Sequence, residues 1–531
     1  MSPFNFEEQF PTLKPIGEGL SRFMRWLVRI FVIAPARFAR RRYKPILAVI
    51  AVLIIAHSVV TLILGRRVRL EIEAIKAKGG TVALADFGKP KIPDSENAAA
   101  AFDKAFKLIS TDQARKDLNA LDHFLKPAER AERPELWNQA RSVLRKYAAV
   151  IPIVEEAVKR PKCRYPVKWE AGCAALFPHL WKVRQLVRIL DSNAIVQARD
   201  GNMDEAIRSL KLAFAVGESL RNEPMLISQL VRRTATLMNS RALRDVIETG
   251  KMTEAHARRL YDALGERDYG AGFAKAMQGE RAMGIWAFDY ARTGRLDFGS
   301  GPEPGRMSPV ARALWSVVRF LWRPIFYADE MVYLASISPA VEHAKEPFRV
   351  PNPSRLSAHD NFPRYAVITS IMLPVFTRAR AKADEAQARV AGDRILLALV
   401  AYKDRFGHYP ADLDGLRAAL GWKLEQDPFS GRDFIYKPQG AGFLLYSVGE
   451  NLKDDGARTV TERPLPQPAS PGTPPGMLPG MPPASVGQPA SAPPGPPPGM
   501  SPPSTTLRSE GFVYRNAKGE SAADIVWGVT R

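Results

Sequence analysis

The stretch from Pro45 to Leu64, PILAVIAVLIIAHSVVTLIL, constrains this chain more than any other, because it carries no charged residue. At about 1.5 Å per helical residue it reaches roughly 30 Å, the thickness of a bilayer's hydrocarbon core. Its thirteen Val, Ile and Leu residues outweigh the cost of inserting His57, Ser58 and Thr61. A buried core helix is the alternative, but such helices usually run shorter and keep a polar face. The sequence therefore predicts one transmembrane helix over 45–64, dividing a basic leader, 1–44, from a long soluble part.

The flanks set an orientation. Arg37, Arg40, Arg41, Arg42 and Lys44 precede the span, with Arg22, Arg25 and Arg29 further back, while Arg66, Arg67 and Arg69 follow it. The excess on the N-terminal side predicts a cytoplasmic N-terminus and export of everything from Arg66 onwards. The leader is too long for a signal-peptide n-region and no small-x-small site follows Leu64, which points to an uncleaved signal anchor. The expected location is the inner, cytoplasmic membrane, single pass, with the bulk of the chain on its periplasmic or extracellular side. In the leader, Phe23 to Phe31 mixes aromatics and arginines as an interfacial helix does, a disordered basic tail being the alternative.

A formal net charge of +21 raises the question of nucleic acid. Part of the excess sits in the leader, where it sets topology and meets anionic lipid, and the rest is spread over helices without a compact Lys/Arg block. The expected partner is the lipid bilayer, not nucleic acid.

Beyond the span, Val68 to Lys78 continues as a polar helix that stops at Gly79-Gly80, and Pro90 and Pro93 mark an extended connector. Residues 65–94 thus read as stem and connector. From Ser95 the chain turns Ala-rich and amphipathic, with Ala101, Phe102, Ala105, Phe106 and Ile109 on one face, and 95–345 reads as an all-helical domain. Within it, Ala194, Ala198, Gly201, Ala206 and Ala213 occupy small-residue positions that resemble one tetratricopeptide hairpin. No second copy follows at the required period, so a helical scaffold is expected. The aromatics Trp286, Phe288, Tyr290, Trp315, Phe320, Trp322 and Phe326 read as core. Arg319, Arg323, Asp329 and Glu330 interrupt the run from Leu314 to Leu334, which is therefore not read as a second span.

Cys163 and Cys173 are the only cysteines, and they bracket a loop-like stretch containing Pro166. In an exported segment the pair is a disulfide candidate, the alternatives being two buried or two reduced thiols. For catalysis, no GxSxG, HExxH, Walker A or GxGxxG string occurs and the seven histidines are scattered. Glu155-Glu156 reads as solvated charge, and Glu280-Arg281 as either a buried ion pair or a surface network. No catalytic or cofactor-binding residue is expected.

The C-terminal third is more specific. From Tyr365 a long helix runs to about Gly407, followed by a turn at Asp427-Pro428-Phe429-Ser430-Gly431, a strand at Phe434-Ile435-Tyr436 and a second strand from Phe443 to Ser447. Tyr402, Gly407, Tyr409 and Pro410, then Asp427, Pro428, Phe429 and Gly431, then Tyr446, Ser447 and Gly449 follow one another in an order that resembles the major pseudopilin (protein G) of type II secretion systems. The resemblance covers 365–456 and implies a helix packed on a small antiparallel sheet. It also implies a calcium loop, here carried by Asp454 or Asp455 with Asp524, although Asn451 stands where the family has an Asp; solvated loop carboxylates are the alternative. Residues 463–504, rich in Pro, Gly, Ser and Met, read as a disordered insertion. The tail, 511–531, carries FVYR and DIVWGV, candidates for a closing strand beside Phe443 to Ser447.

The expected fold class is mainly α: one N-terminal transmembrane helix, an all-helical domain and a C-terminal α+β module of long helix plus small antiparallel sheet. The expected role is structural or interaction work, linked to a type II secretion or pilus-like apparatus with its own protein partners. An envelope hydrolase, with a site between the helical domain and the C-terminal sheet, is the alternative.

Overall fold

The computed structural model describes residues 36–293, 309–350, 362–373, 379–457, 514–515, 521–522 and 525–529. The leader up to residue 35 and the Pro-rich stretch, both singled out in the sequence, lie outside these. The chain is mainly helical and divides into two compact units, Met1–Leu243 with Arg267–Gln387, and Arg244–Glu266 with Ala388–Arg531. The change of unit falls inside the long C-terminal helix, well after Tyr365.

In the first unit, helix α1 runs unbroken over Ala36–Ala77. Among the described residues it is the one helix long and apolar enough to cross a membrane, and Val52, Leu53 and Leu62 stand 64%, 62% and 67% exposed on it. Past Gly65 the same helix becomes amphipathic. Its Val68 and Ile75 are buried with Phe273, Phe288, Tyr333, Leu334 and Ile337 in one hydrophobic cluster. Gly79, in the left-handed region at φ 75°, follows its end.

Five helices then build one side of the unit: α2 (Ala98–Ile109), α3 (Asp112–Phe124), α4 (Pro127–Glu132), α5 (Glu135–Lys146) and α6 (Val150–Val158). The Asn97 side chain accepts the Ala99 amide and Thr111 accepts that of Ala114, satisfying donors that a helix start leaves open. Ala101, Phe102, Ala105, Phe106 and Ile109 are buried along α2, the face its periodicity indicates. Helices α7 (Pro178–Asp200) and α8 (Met203–Glu218) form a tight hairpin around Gly201, at φ 92°. Ala194, Ala198, Ala206 and Ala213 are fully buried in it.

Helix α9 (Leu226–Glu248) leads into the second unit, whose first complete helix is α10 (Glu254–Leu264). The chain returns to the first unit with α11 (Tyr269–Arg292), α12 (Pro309–Glu342) and α13 (Val367–Met372). A Cβ on Gly284 would lie 2.2 Å from the Tyr333 ring, so α11 and α12 meet there only because the residue is glycine. The Asp329 carboxylate accepts the amides of Ile368 at 2.8 Å and Thr369 at 3.2 Å and the Thr369 hydroxyl at 2.6 Å, fixing the start of α13.

Helix α14 (Ala379–Phe406) carries the chain back into the second unit, followed by α15 (Leu413–Leu420) and strands β1 (Ile435–Gln439) and β2 (Gly442–Ser447). A short pair, β3 (Tyr514–Arg515) and β4 (Ser521–Ala522), precedes β5 (Ile525–Val529). The main sheet has order β1-β2-β5, antiparallel throughout, with Leu445 opposite both Tyr436 and Trp527. Thus Ile525–Val529, from the DIVWGV segment, forms a strand beside Phe443 to Ser447. Trp527 is fully buried, and a Cβ on Gly392 of α14 would come 2.4 Å from its ring.

Candidate functional site

A cavity of about 510 Å³ lies in the first unit where α1 leaves its charge-free stretch. Gly65, Val68 and Ile72 of α1 form one wall, Leu84 and Trp169 another, and Ile285, Trp286 and Arg292 of α11 a third, with Tyr327 of α12 beside them. Trp286 is held flat by Tyr290, ring centroids 4.6 Å apart, and by Gly172, where a Cβ would lie 2.2 Å from the indole. The Arg292 guanidinium sits 4.6 Å above the Tyr327 ring and is ion-paired to Glu330. Burial pushes the Glu330 carboxyl up to about 7, against the pull of Arg292.

The walls offer apolar and aromatic surface, and the charges are Arg69, Arg292, Glu170 and Asp289. Among the described residues no Ser, Thr, Cys or His lines the cavity. Glu170 is exposed, and the Asp289 side chain, 74% exposed, lies 3.5 Å from Arg292. The described lining is therefore chiefly apolar and aromatic, with Arg292 and Asp289 within reach of each other among its charged side chains.

Two buried polar groupings of the first unit lay outside the sequence reading. In one, Glu218 accepts Arg232 at 2.8 and 3.0 Å and Arg267 at 3.0 Å. Burial opposes its ionisation, yet the two arginines hold its carboxyl below the usual range. In the other, His179 lies 2.7 Å from Glu223 and stacks on Tyr165 at 4.3 Å, while the Tyr165 hydroxyl meets Ser219 at 2.9 Å. Neither grouping was legible, because its members are scattered along the sequence and only packing gathers them.

Cys163 and Cys173, the disulfide candidates, are not bonded to each other in this structure. Cys163 faces Tyr165 and Glu223, and burial pushes its thiol up to about 12, far from a reactive thiolate. Cys173 is exposed and lies near Glu280 and Tyr333.

Glu280 and Arg281 are likewise not partners. The Glu280 carboxylate accepts the Leu226 amide at 2.8 Å, and burial pushes it up to about 7. Arg281 turns instead towards the Thr81 carbonyl, at 3.5 Å. Glu155 and Glu156 are ion-paired at the surface with Arg208 and Lys159.

In the second unit, Asp454 accepts the Tyr446 hydroxyl at 2.9 Å and the Gly456 amide at 2.9 Å, and Asp455 accepts the Asn451 side chain at 2.7 Å. Both carboxylates thus serve their own loop. Asp524, the third expected calcium ligand, lies outside the described residues. Among the described residues no group of three or more His, Cys, Asp or Glu side chains is placed to hold a metal ion.

Asp427 organises the turn beside this loop. Its carboxylate accepts the Phe429 amide at 3.0 Å, the Ser447 hydroxyl at 2.8 Å and the Val448 amide at 3.3 Å. Its carbonyl accepts the Gly431 amide at 2.7 Å. One buried side chain therefore ties the Asp-Pro-Phe turn to the end of β2.

No protein-family model, curated protein or solved structure matches this chain.

Proposed function

We propose that this chain is a membrane-anchored envelope protein with a structural or interaction role, linked to a type II secretion or pilus-like apparatus. The observation that carries this reading is the continuity of α1. Its exposed apolar stretch and its buried residues Val68 and Ile75 belong to one unbroken helix. An anchor that ends inside a hydrophobic core holds the helical unit at a fixed height and angle to the bilayer. That suits a scaffold, whereas a tethered catalytic domain needs no such constraint. In this reading the N-terminus is cytoplasmic and the bulk of the chain lies on the far side of the inner membrane, as the excess of arginines before the span favours.

The link to secretion rests on the second unit. The segments whose order resembles the major pseudopilin are joined by named contacts: Asp427 to Ser447, the Tyr436 hydroxyl to the Pro410 carbonyl at 2.8 Å, and Tyr409 to Phe443 at 4.8 Å between ring centroids. Its partners would be protein components of that assembly. The test is deletion of the chain from its host, followed by assay of secreted proteins and surface filaments. Loss restored by the full chain, but not by one lacking 365–456, is the expected result. Unchanged secretion and filaments would overturn the reading.

A further inference from the structure

Around Phe320, helix α12 packs against the anchor. His57 Nε2 lies 3.3 Å from the Leu321 carbonyl oxygen, and the His57 and Phe320 rings are 4.3 Å apart. Further along both helices Tyr327 rests on Gly65, and Lys78 pairs with Glu342 at 2.9 Å. The contacts advance together, so α1 and α12 run parallel. From Gly65 back to His57 is about 12 Å along α1 at 1.5 Å per residue. A hydrocarbon leaflet is about 15 Å deep.

We propose that the stretch of α12 from Ser316 to Phe326 is embedded in the bilayer that α1 crosses, its partner being the acyl-chain region. The proposal rests on α1 being the span. If His57 is within the bilayer, the backbone it touches is there too. Val317 and Leu321, one turn apart, stand 54% and 44% exposed, and lipid would cover them as it covers Val59 and Leu62 of α1. In water such a pair is unremarkable, but here it continues an apolar surface that already needs covering.

The two arginines within this stretch have places to put their charge. The Arg319 guanidinium donates through its two terminal nitrogens to the Thr293 carbonyl at 3.0 Å and to the Ser316 hydroxyl at 3.1 Å. Arg323 is exposed and one turn nearer the level of Gly65, from which a long side chain can reach headgroups. Trp322 and Tyr327 are residue types suited to the interface, and the exposed Arg66 and Arg67 flank the same level on α1.

The experiment uses the full chain in phosphatidylcholine–phosphatidylglycerol vesicles, in a Cys163→Ser/Cys173→Ser background. A nitrobenzoxadiazole probe is attached at Val317→Cys, with Leu53→Cys as the reference in the span and Leu176→Cys, 79% exposed, as the reference in water. Quenching of the Val317 probe by acyl-chain nitroxide lipids as strongly as at Leu53, with loss of the iodide quenching seen at Leu176, is expected. Iodide quenching at Val317 equal to that at Leu176, with Leu53 still quenched by lipid, overturns the proposal. Failure of lipid quenching at Leu53 itself overturns the span and the proposal with it. On the unsubstituted chain, an acyl-diazirine lipid should photolabel the peptide carrying Val317 and Leu321; adducts confined to α1 would overturn the proposal independently of the cysteine variants.

Discussion

The indole nitrogen of Trp527 donates to the carboxylate of Asp393 at 2.9 Å, joining the last strand of the sheet to the long helix α14. The ring is fully buried, meets Phe434 edge-on at 5.7 Å and lies against Gly392. Strand β5, at the edge of the main sheet, is therefore tied to α14 by the buried Trp527 side chain.

Trp527→Ala should destabilise the second unit by about 3–5 kcal/mol, the usual loss for a large aromatic deleted from a core. Trp527→Phe keeps most of the apolar area and loses the hydrogen bond, so its loss should be smaller. Urea unfolding followed by circular dichroism measures both. Equal stability of Trp527→Ala and the parent chain would remove β5 from the core.

Glu218 lies between Arg232 and Arg267, each almost wholly buried. Glu218→Gln leaves two guanidinium groups without their counter-charge, and breaking a buried pair in this way costs about 3–5 kcal/mol. A drop in thermal midpoint well beyond that of Glu156→Gln, at an exposed pair, is the expected outcome. The two variants melting alike would show that the grouping adds nothing.

The carboxyls of Glu280 and Glu330, both raised to about 7 by burial, make stability depend on pH. A carboxyl whose folded value lies above its unfolded one binds more protons in the native state between the two values. Its contribution is complete below the unfolded value near 4.5 and is lost as pH rises through about 7. Glu280→Gln, which still accepts the Leu226 amide, should therefore flatten the fall in stability between pH 5 and pH 8, by on the order of 1–2 kcal/mol. Denaturant midpoints at a series of pH values test this. An unchanged slope in the variant would show that Glu280 titrates normally.

What could be read from the residues follows from how local each signal is. A charge-free run from Pro45 to Leu64 can only be a helix in an apolar setting, and the glycines at 79 and 201 end helices because left-handed backbone suits them. The fragment DIVWGV was likewise a strand candidate, and its residues 525–529 form β5. Contacts between distant residues were not legible. Nothing local to Gly392 announces Trp527, and Glu280 and Arg281, adjacent in sequence, point to different neighbours. The cavity beside Gly65 is built from residues of five separate segments, so no short motif encodes it.

The central claim is an anchored chain whose folded units lie outside the cytoplasm. Protease accessibility of the C-terminal region, compared in intact and permeabilised spheroplasts, tests it most directly. The account predicts digestion in intact spheroplasts, with α1 and the leader retained in the membrane. Protection until the membrane is breached would place the folded units in the cytoplasm and contradict the account.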